Sequence, residues 1–399
     1  MNSIAVCASE QTQPVTEESG ETPEETPEGE STEGTDTANA TDLGLTSGAV
    51  LLMEADSGTV LYEQNSTERL RPASITKIMT LILIFDALES GKIHLEDNVT
   101  TSAYAKSMGG SQVFLEEGEV QTVETLIKCI VVASGNDASV AMAEYIAGSE
   151  TEFVRQMNER AQGLGMEQTH FEDCCGLTES ETHLTSARDV AIMSRELVTK
   201  YPQIHNYSSI WMEDITHVTR QGSSTFTLAN TNKLLRQFEG CNGLKTGSTS
   251  LAKYCLSATA ERDGIQLIAV IMAAPESKVR FAEASALLNY GFSNCSRYVD
   301  EEMPALEDIQ VRRSTVKKIP VKYDGQFSYV STANEDFSTI EKEIVMEEKV
   351  EAPVKKNKKV GQINYKLHGK TLGSVDIVTD GEALKASFMD YLKQLWQQI

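Results

Sequence analysis

Ser74 and Lys77 are the residues of this sequence best suited to covalent catalysis. They stand three positions apart in the run Arg71–Lys77, and this spacing puts the hydroxyl and the amine on one face of a helix, one turn apart. A lysine in apolar surroundings loses affinity for its proton because desolvation disfavours the charged form. Lys77 can therefore accept the proton of Ser74 near neutral pH, which makes Ser74 a candidate nucleophile.

The spacing alone does not identify a site, because Ser250/Lys253 and Ser314/Lys317 show it too. An isolated match is more often a surface serine near a solvated lysine. Ser74 differs from the other two serines in its sequence context, since almost every position from Ile75 to Leu88 is apolar. This run is too continuous for one amphipathic face and too short to span a bilayer, so it predicts a buried helix.

Two further motifs carry side chains suited to the same chemistry. Ser134-Gly135-Asn136 lies between two apolar helical segments, where side chains can project into a cleft, although such a sequence also suits an ordinary turn. Lys245-Thr246-Gly247 lies on the first of three predicted antiparallel strands, and Asp263-Gly264 joins the other two. There the lysine offers a cation to a carboxylate, the threonine adds a hydroxyl, and the glycine allows a ligand to approach the backbone.

Length, composition and charge narrow the class of protein. The chain has 399 residues, of which 40% are hydrophobic and 24% are charged, as in a soluble globular protein with room for two domains. The net charge of −24 argues against a nucleic-acid partner. Seven cysteines without C-x-x-C spacing indicate neither a metal site nor a redox motif, and we expect no cofactor.

The first 43 residues differ in composition from the rest. Val6-Cys7-Ala8 resembles the cleavage end of a secretory signal, although a short apolar patch without function explains it equally well. The segment after it is rich in Glu, Thr, Pro, Ser and Gly, a composition that cannot bury enough surface to fold. We therefore predict a signal remnant and a disordered acidic linker over residues 1–43.

The remaining sequence predicts both strands and helices. A hairpin is expected around Asp56-Ser57-Gly58, and residues from about 95 to 200 are expected to form a mainly helical insertion. Its predicted helices cover residues 123–132, 138–146, about 150–163 and 187–199. After Cys295, short strands parted by turns predict a small β-sandwich.

The three motifs, in this order on a helix start, a helix corner and a strand, resemble those of the penicillin-binding and serine β-lactamase superfamily. Residues from about 44 to 298 are similar to the low-molecular-weight D-alanyl-D-alanine carboxypeptidases, peptidase family S11. Further stretches that carry the resemblance are Arg71–Thr80, Val132–Ala138, His183–Asp189, Asn230–Leu235 and Leu288–Phe292.

The resemblance implies an α/β (α+β) fold. Residues 44–298 would form a transpeptidase-like domain, with an antiparallel sheet flanked by helices and a helical subdomain. Residues 299–380 would form an all-β sandwich, and residues 381–399 an amphipathic membrane-anchor helix.

The resemblance also implies an activity: a serine-type enzyme that removes the terminal D-Ala from peptidoglycan pentapeptide stems and binds penicillin. Ser74 would be acylated, Lys77 would be the general base, and Ser134 would relay the proton to the leaving amine. Asn136 would hold the peptide. Such an enzyme works outside the cytoplasmic membrane of a bacterium.

The remaining implied roles concern the substrate carboxylate and the oxyanion. Lys245 and Thr246, on the strand that continues through Gly247, would bind the terminal carboxylate. The backbone N–H groups of Ser74 and Ser248 would form the oxyanion hole. Arg280 stands at the family's arginine position and either strengthens the carboxylate site or is a surface ion-pair partner.

Some alternatives stay open at this level. A D,D-endopeptidase and a slow β-lactamase share these motifs, and an inactive wall-binding protein is a further candidate. The run Asp173–Leu177 departs from the Asn-x-His-Gly-Leu sequence usual in the family, which leaves the loop beside the site and the deacylation rate uncertain.

The segment Ala383–Ile399 has apolar residues at helical spacing. They are Leu384, Phe388, Tyr391, Leu392, Leu395, Trp396 and Ile399. We expect a helix in the membrane interface whose binding changes little with salt, and the alternative is a helix packed on the β-domain. The basic run Lys355–Lys359 is expected to be a solvated turn.

Overall fold

The structure is a computed structural model that describes residues 42–220, 222–333 and 335–390. The predicted signal remnant and acidic linker lie outside the described residues, apart from Asp42 and Leu43.

The strands of the first part of the chain are β1 Ala49–Glu54, β2 Val60–Gln64, β3 Asn98–Thr100, β4 Val120–Thr122, β5 Met212–Thr219, β6 Gly222–Ala229, β7 Cys241–Thr249, β8 Lys253–Arg262 and β9 Ile265–Ala274. The helices are α1 Lys77–Glu89, α2 Ala103–Lys106, α3 Val123–Val131, α4 Asn136–Ala147, α5 Glu150–Gly163, α6 Ala187–Lys200, α7 His205–Ser208, α8 Leu234–Gln237 and α9 Ser277–Asn294, with 3-10 turns at Ala73–Thr76 and Pro202–Ile204.

The central sheet has the strand order β2-β1-β9-β8-β7 and is antiparallel throughout. Its middle strands are buried on both faces. On β9, Leu267, Ala269 and Ile271 pack towards α9, whereas Ile268, Val270 and Met272 belong to the larger core that contains α1. Because both faces are covered, these strands are continuous apolar runs in the sequence. The strand order places β7 at an edge of the sheet.

Helix α1 lies inside the larger core, as predicted. Ile75, Ile78, Met79, Ile82 and Ile84 have no exposed surface, and helices α4, α5 and α6 contact α1. Because α1 is covered on all sides, the residues at its start are fixed by packing. This is what allows its first turn to carry a catalytic group.

The expected hairpin, the three strands from β7 to β9 and the helices of the insertion are all confirmed. Asp263 and Gly264 both have positive φ, 52° and 71°, as the tight turn between β8 and β9 requires. Our reading of the sequence does not predict the hairpin β5–β6 or the extent of α9. Serine and threonine dominate β6, so it lacks the apolar alternation of a half-buried strand.

The C-terminal part consists of strands, as predicted. They are β10 Ser296–Val299, β11 Ile309–Arg312, β12 Lys318–Ile319, β13 Val321–Tyr323, β14 Ser328–Ser331, β15 Glu341–Met346, β16 Lys349–Glu351, β17 Lys359–Leu367 and β18 Lys370–Thr379, with a 3-10 turn at Phe337–Thr339. They form a four-stranded sheet of order β13-β18-β17-β15, a three-stranded sheet of order β12-β11-β16 and the pair β10-β14. Two small apolar cores lie among them.

The expected start of the terminal helix is wrong. Residues 381–387 are not helical, because Ala383 pairs with Val354 through two backbone hydrogen bonds of 2.8 and 3.0 Å. Helical conformation begins only at Phe388. Residues 391–399, which carry the rest of the predicted apolar stripe, lie outside the described residues. Within the described part of the chain, none of the helices combines the length and the apolar character needed to cross a bilayer.

Candidate active site

Ser74 and Lys77 meet at the entry to α1. Ser74 lies in the 3-10 turn Ala73–Thr76, which runs directly into the α-helix that begins at Lys77. The Lys77 Nζ atom is 3.1 Å from Ser74 Oγ, and Lys77 has no exposed surface. The backbone N–H of Ser74, in the first turn, has no acceptor within the helix.

The surroundings of Lys77 suit a proton acceptor. Its Nζ donates to Asn136 Oδ1 at 2.6 Å and to the backbone oxygen of Cys175 at 2.8 Å. Burial lowers the pKa of Lys77, because a charged amine loses its hydration there. The two carbonyl oxygens can take both hydrogens of a neutral amine, which leaves its lone pair for the Ser74 hydroxyl.

Asn136 ties three parts of the site together. It is the first residue of α4, and besides its contact with Lys77 its Nδ2 donates to the backbone oxygen of Gly109 at 2.7 Å. Both ends of its amide are thus engaged within the protein. In this structure Asn136 positions Lys77 and the 109–115 loop, and a substrate contact would have to replace one of these bonds.

Lys245 and Ser134 form the opposite side of the site. Lys245 Nζ donates to Ser134 Oγ at 2.8 Å and to the Thr246 backbone oxygen at 3.1 Å. Burial, reinforced by the charges of Lys77 and Arg280, holds the pKa of Lys245 well below its usual value. Ser134 has a φ of 61°, a strained conformation of the kind found where function fixes a side chain.

Gly247 lies where β7 passes closest to the nucleophile. A Cβ atom at this position would stand 2.8 Å from the Pro72 backbone oxygen and 3.1 Å from the Ser74 backbone nitrogen. The sequence predicts that this glycine admits a ligand, but its first role is to let the edge strand touch the turn that carries Ser74. Ser248, next along β7, is exposed.

Arg280 does not lie on the surface. It is 7% exposed, and its Nη1 donates to the backbone oxygens of Gly247 and Cys255, at 3.0 and 3.2 Å. Burial lowers its pKa. The surface ion-pair interpretation is therefore wrong, and Arg280 instead connects α9 to β7 and β8 directly behind the Lys245 strand.

The unusual run Asp173–Leu177 forms a loop against the nucleophile turn. The Asp173 carboxylate accepts the backbone N–H groups of the next residues, from Cys175 at 2.8 Å to Thr178 at 2.6 Å. Burial acts to raise the pKa of Asp173, but the nearby His183 and these donors outweigh burial and lower it. Gly176 has a φ of 76°, and a Cβ there would overlap the Ala73 backbone oxygen. The loop thus presents the Cys175 carbonyl to Lys77.

Sequence reasoning missed several residues that shape the site. The buried Asp137 carboxylate accepts the backbone N–H groups of Val113 and Leu115, each at 3.1 Å, and so holds the 109–115 loop. Thr231 Oγ1 lies 2.6 Å from Thr246 Oγ1. Both residues stand within stretches that carried the resemblance, but only the folded chain shows what they contact.

The other two Ser-x-x-Lys pairs form no comparable site. Ser250 lies in the turn between β7 and β8, Lys253 is the first residue of β8, and both are exposed. Ser314 is buried but its Oγ accepts the Val316 backbone N–H, whereas Lys317 is exposed. A fully buried lysine in contact with a half-buried serine, and not the spacing, separates the Ser74 pair from these two.

The chain is similar to known proteins over most of its length. Residues 35–276 match the D-alanyl-D-alanine carboxypeptidase family of S11 peptidases, and residues 300–384 match the C-terminal domain of penicillin-binding protein 5. The chain is 41% identical over 347 residues to the D-alanyl-D-alanine carboxypeptidase DacF of Bacillus subtilis, covering 87% of this chain and 88% of that protein. It is 32% identical over 366 residues to DacA of Escherichia coli, with 87% of each chain covered. The fold is similar to the crystal structure of penicillin-binding protein 5 from Haemophilus influenzae, with a TM-score of 0.63, 29% identity, and coverage of 88% of this chain and 100% of that one.

Proposed function

This chain belongs to the S11 family of D-alanyl-D-alanine carboxypeptidases, and from that premise we propose that it removes the terminal D-Ala from peptidoglycan pentapeptide stems through an acyl-enzyme on Ser74. The observation that carries the proposal is the buried Lys77. Its amine lies 3.1 Å from Ser74 Oγ, and burial lowers its pKa. A base of this kind lets a serine attack an amide without a histidine.

The reaction has two steps. Ser74 Oγ attacks the carbonyl carbon of the penultimate D-Ala and passes its proton to Lys77 Nζ. The C–N bond then breaks, and the leaving amine receives a proton through Ser134, while the peptide remains as an ester on Ser74. Water hydrolyses that ester, which restores the serine and frees a stem shorter by one residue.

The oxyanion formed in each step requires donors that are already in place. The backbone N–H groups of Ser74 and Ser248 are the proposed donors, and the close contact of Gly247 with the Ser74 turn supports this pairing. One such donor contributes roughly 3–4 kcal/mol of transition-state stabilisation. Arg280 and Asn136 act indirectly, because they position the β7 strand and Lys77 respectively.

Lys245 and Thr246 bind the terminal carboxylate in this proposal. A carboxylate placed beside the Lys245 amine favours its protonated form, which opposes the effect of burial. The bound carboxylate and the protonated Lys245 then form an ion pair, whose opposite charges offset each other at Lys77, so burial stays the main cause of its lowered pKa.

The S11 family acts on the cell wall, so the site of action is extracytoplasmic. We further propose that the catalytic domain covers residues 44–298 and the β-sandwich residues 299–380, and that the protein is secreted and held at the outer face of the cytoplasmic membrane by residues 381–399. The exposure of Leu384, Phe388 and Met389, at 80%, 76% and 59%, supports such a contact.

Covalent labelling with benzylpenicillin tests the nucleophile, because the β-lactam amide takes the place of the D-Ala-D-Ala bond. Intact-mass spectrometry should show one adduct, and peptide mapping should locate it on Ser74. The Ser74→Ala protein should take none. An adduct that survives this substitution, or that maps to Ser250 or Ser314, would refute the assignment.

Product analysis separates carboxypeptidase activity from its rivals. A pentapeptide ending in D-Ala-D-Ala should release D-Ala. The rate for its C-terminal amide should be lower by about one to two decades, which corresponds to the loss of one charge-assisted hydrogen bond. Equal rates on acid and amide would contradict the carboxylate role of Lys245. Faster cleavage of crosslinked dimers would indicate an endopeptidase, and rapid release of hydrolysed penicillin a β-lactamase.

A further inference from the structure

Two short basic runs stand out in this acidic protein. Arg312–Lys318 and Lys355–Lys359 each contain four Lys or Arg residues and no Asp or Glu, although the whole chain carries a net charge of −24. They are separated by more than thirty residues in sequence. From the sequence, the second run is expected to be a solvated turn without a further role.

The fold brings both runs to the place where the chain leaves the β-domain. The Lys355–Lys359 turn caps the end of β18, because Thr379 Oγ1 donates to the Lys355 backbone oxygen at 2.7 Å and accepts the Lys358 backbone N–H at 3.0 Å. The first run contacts the segment that follows β18, since the Ala386 backbone N–H donates to the Arg313 backbone oxygen at 2.8 Å. Both runs therefore flank the segment 380–387.

Most of this positive charge is not neutralised by neighbouring carboxylates. Lys356 pairs with Asp380, Lys359 with Asp376, and Arg313 more loosely with Glu351 at 3.6 Å. Among the described residues, six cations of this region have no carboxylate within 4.0 Å. They are Arg312, Lys317, Lys318, Lys355, Lys358 and Lys385, and all six are exposed. We call these six residues the basic end of the β-domain. Glu382, also exposed here, is a nearby negative charge.

Exposed apolar side chains lie in the same region. Val316 in the first run is 41% exposed. Leu384 and Phe388, in the residues that follow β18, are 80% and 76% exposed. Apolar side chains ringed by cations match the interface of a bilayer, where acyl chains and charged headgroups are adjacent. A soluble polyanion offers the charge but nothing to bury these apolar groups.

We propose that the basic end of the β-domain docks on anionic lipid headgroups, so that the folded domain and not the terminal segment alone contacts the membrane. This inference rests on the membrane attachment proposed above. It replaces our expectation of weak salt dependence, which counted only the charges of residues 383–399. Docking at this end would also hold the β-domain in a defined orientation on the bilayer.

Vesicle flotation of the full chain tests the proposal with a matched pair of variants. Lys355→Gln/Lys358→Gln removes two cations of the basic end. Lys92→Gln/Lys370→Gln removes two exposed lysines elsewhere, Lys370 lying at the opposite end of β18. Neither pair touches the catalytic site, so penicillin labelling should be normal in both and serves as the check on folding.

The expected result is binding that strengthens when phosphatidylglycerol is added to phosphatidylcholine vesicles. The first variant should lose about five-fold in partition for each lysine, roughly 25-fold in total, on anionic vesicles only. The control variant should bind as the unmodified protein does. High salt should reduce binding to the anionic vesicles, because it shortens the screening length from about 10 Å at 0.1 M to about 3 Å at 1 M.

The remaining outcomes separate this inference from the attachment on which it rests. If the unmodified protein floats equally with neutral and anionic vesicles, or if the first variant binds like the control, the basic end has no role and attachment by the terminal segment stands. If the protein floats with neither vesicle, attachment itself fails and this inference with it. Binding to soluble polyphosphate without flotation would show that the occupant is a polyanion and overturn the lipid assignment.

Discussion

Replacing Gly247 by alanine perturbs the contact between the edge strand and the nucleophile turn. The added Cβ would lie 2.8 Å from the Pro72 oxygen and 3.1 Å from the nitrogens of Ser74 and Ile75. All three neighbours are backbone atoms of a turn that leads into the buried helix α1, so no flexible side chain can move aside. We expect β7 and the turn to separate by about half an ångström to restore an ordinary van der Waals distance.

That displacement acts on the reaction through geometry. It moves the Ser248 N–H away from the Ser74 N–H and shifts both relative to the bound carbonyl. A misplacement of about 1 Å costs roughly a hundred-fold in rate, so half that distance predicts a loss of about ten-fold. The same crowding should lower the free energy of unfolding by about 1–3 kcal/mol.

The assay is the rate of covalent labelling by a fluorescent penicillin, measured beside thermal unfolding without ligand. Gly163→Ala is the control, because its Cβ meets no atom within 4 Å and its backbone conformation is ordinary. It should label normally and gain a few tenths to about 1 kcal/mol of stability. Normal labelling and stability in Gly247→Ala would refute the contact argument. If instead only bulky ligands react slowly and stability is unchanged, the glycine serves ligand approach, as the sequence predicts.

Three further predictions concern residues around the site and its support. Asp173→Asn should slow penicillin labelling about ten-fold without abolishing it. The amide keeps one acceptor oxygen, but its NH2 group cannot accept the N–H groups that the second carboxylate oxygen now holds, so the loop that presents the Cys175 carbonyl loosens. The pKa of Lys245 is lowered, so its amine loses its proton at a lower pH than an ordinary lysine does. The KM of a substrate with a free carboxylate should therefore rise with pH, whereas the KM of its C-terminal amide should stay level. A parallel rise in both KM values would contradict the carboxylate role of Lys245. Glu283→Gln should lower the free energy of unfolding, measured by urea denaturation, by about 2–3 kcal/mol, since Glu283 accepts the N–H and hydroxyl groups of Thr46 and Ser47. The control Glu167→Gln, at an exposed position, should leave the free energy of unfolding unchanged.

The sequence by itself determined most elements of the fold and the main site motifs, although not the β5–β6 hairpin or the extent of α9. Continuous apolarity predicted that α1 is buried, and turn chemistry at Asp263-Gly264 predicted the β8–β9 hairpin. These are local signals, because side-chain periodicity and positive-φ turns are set by residues within a few positions. The unusual run Asp173–Leu177 was visible as well, but no local pattern indicates which groups its carboxylate binds.

Only the tertiary structure decided which groups meet. Lys77, Asn136 and the Cys175 carbonyl are separated by up to 98 residues, and Gly247 touches a turn more than 170 residues before it. The sequence could not separate Arg280 from a surface ion-pair partner, because its burial depends on α9 packing on β8 and β9 and on its hydrogen bonds to the Gly247 and Cys255 backbone oxygens. The basic end is the same kind of case: two runs far apart in the sequence, the second of them expected to be a solvated turn, become one surface because the fold brings both to the segment 380–387. Contacts across such distances depend on how elements pack, and packing depends on the whole chain at once.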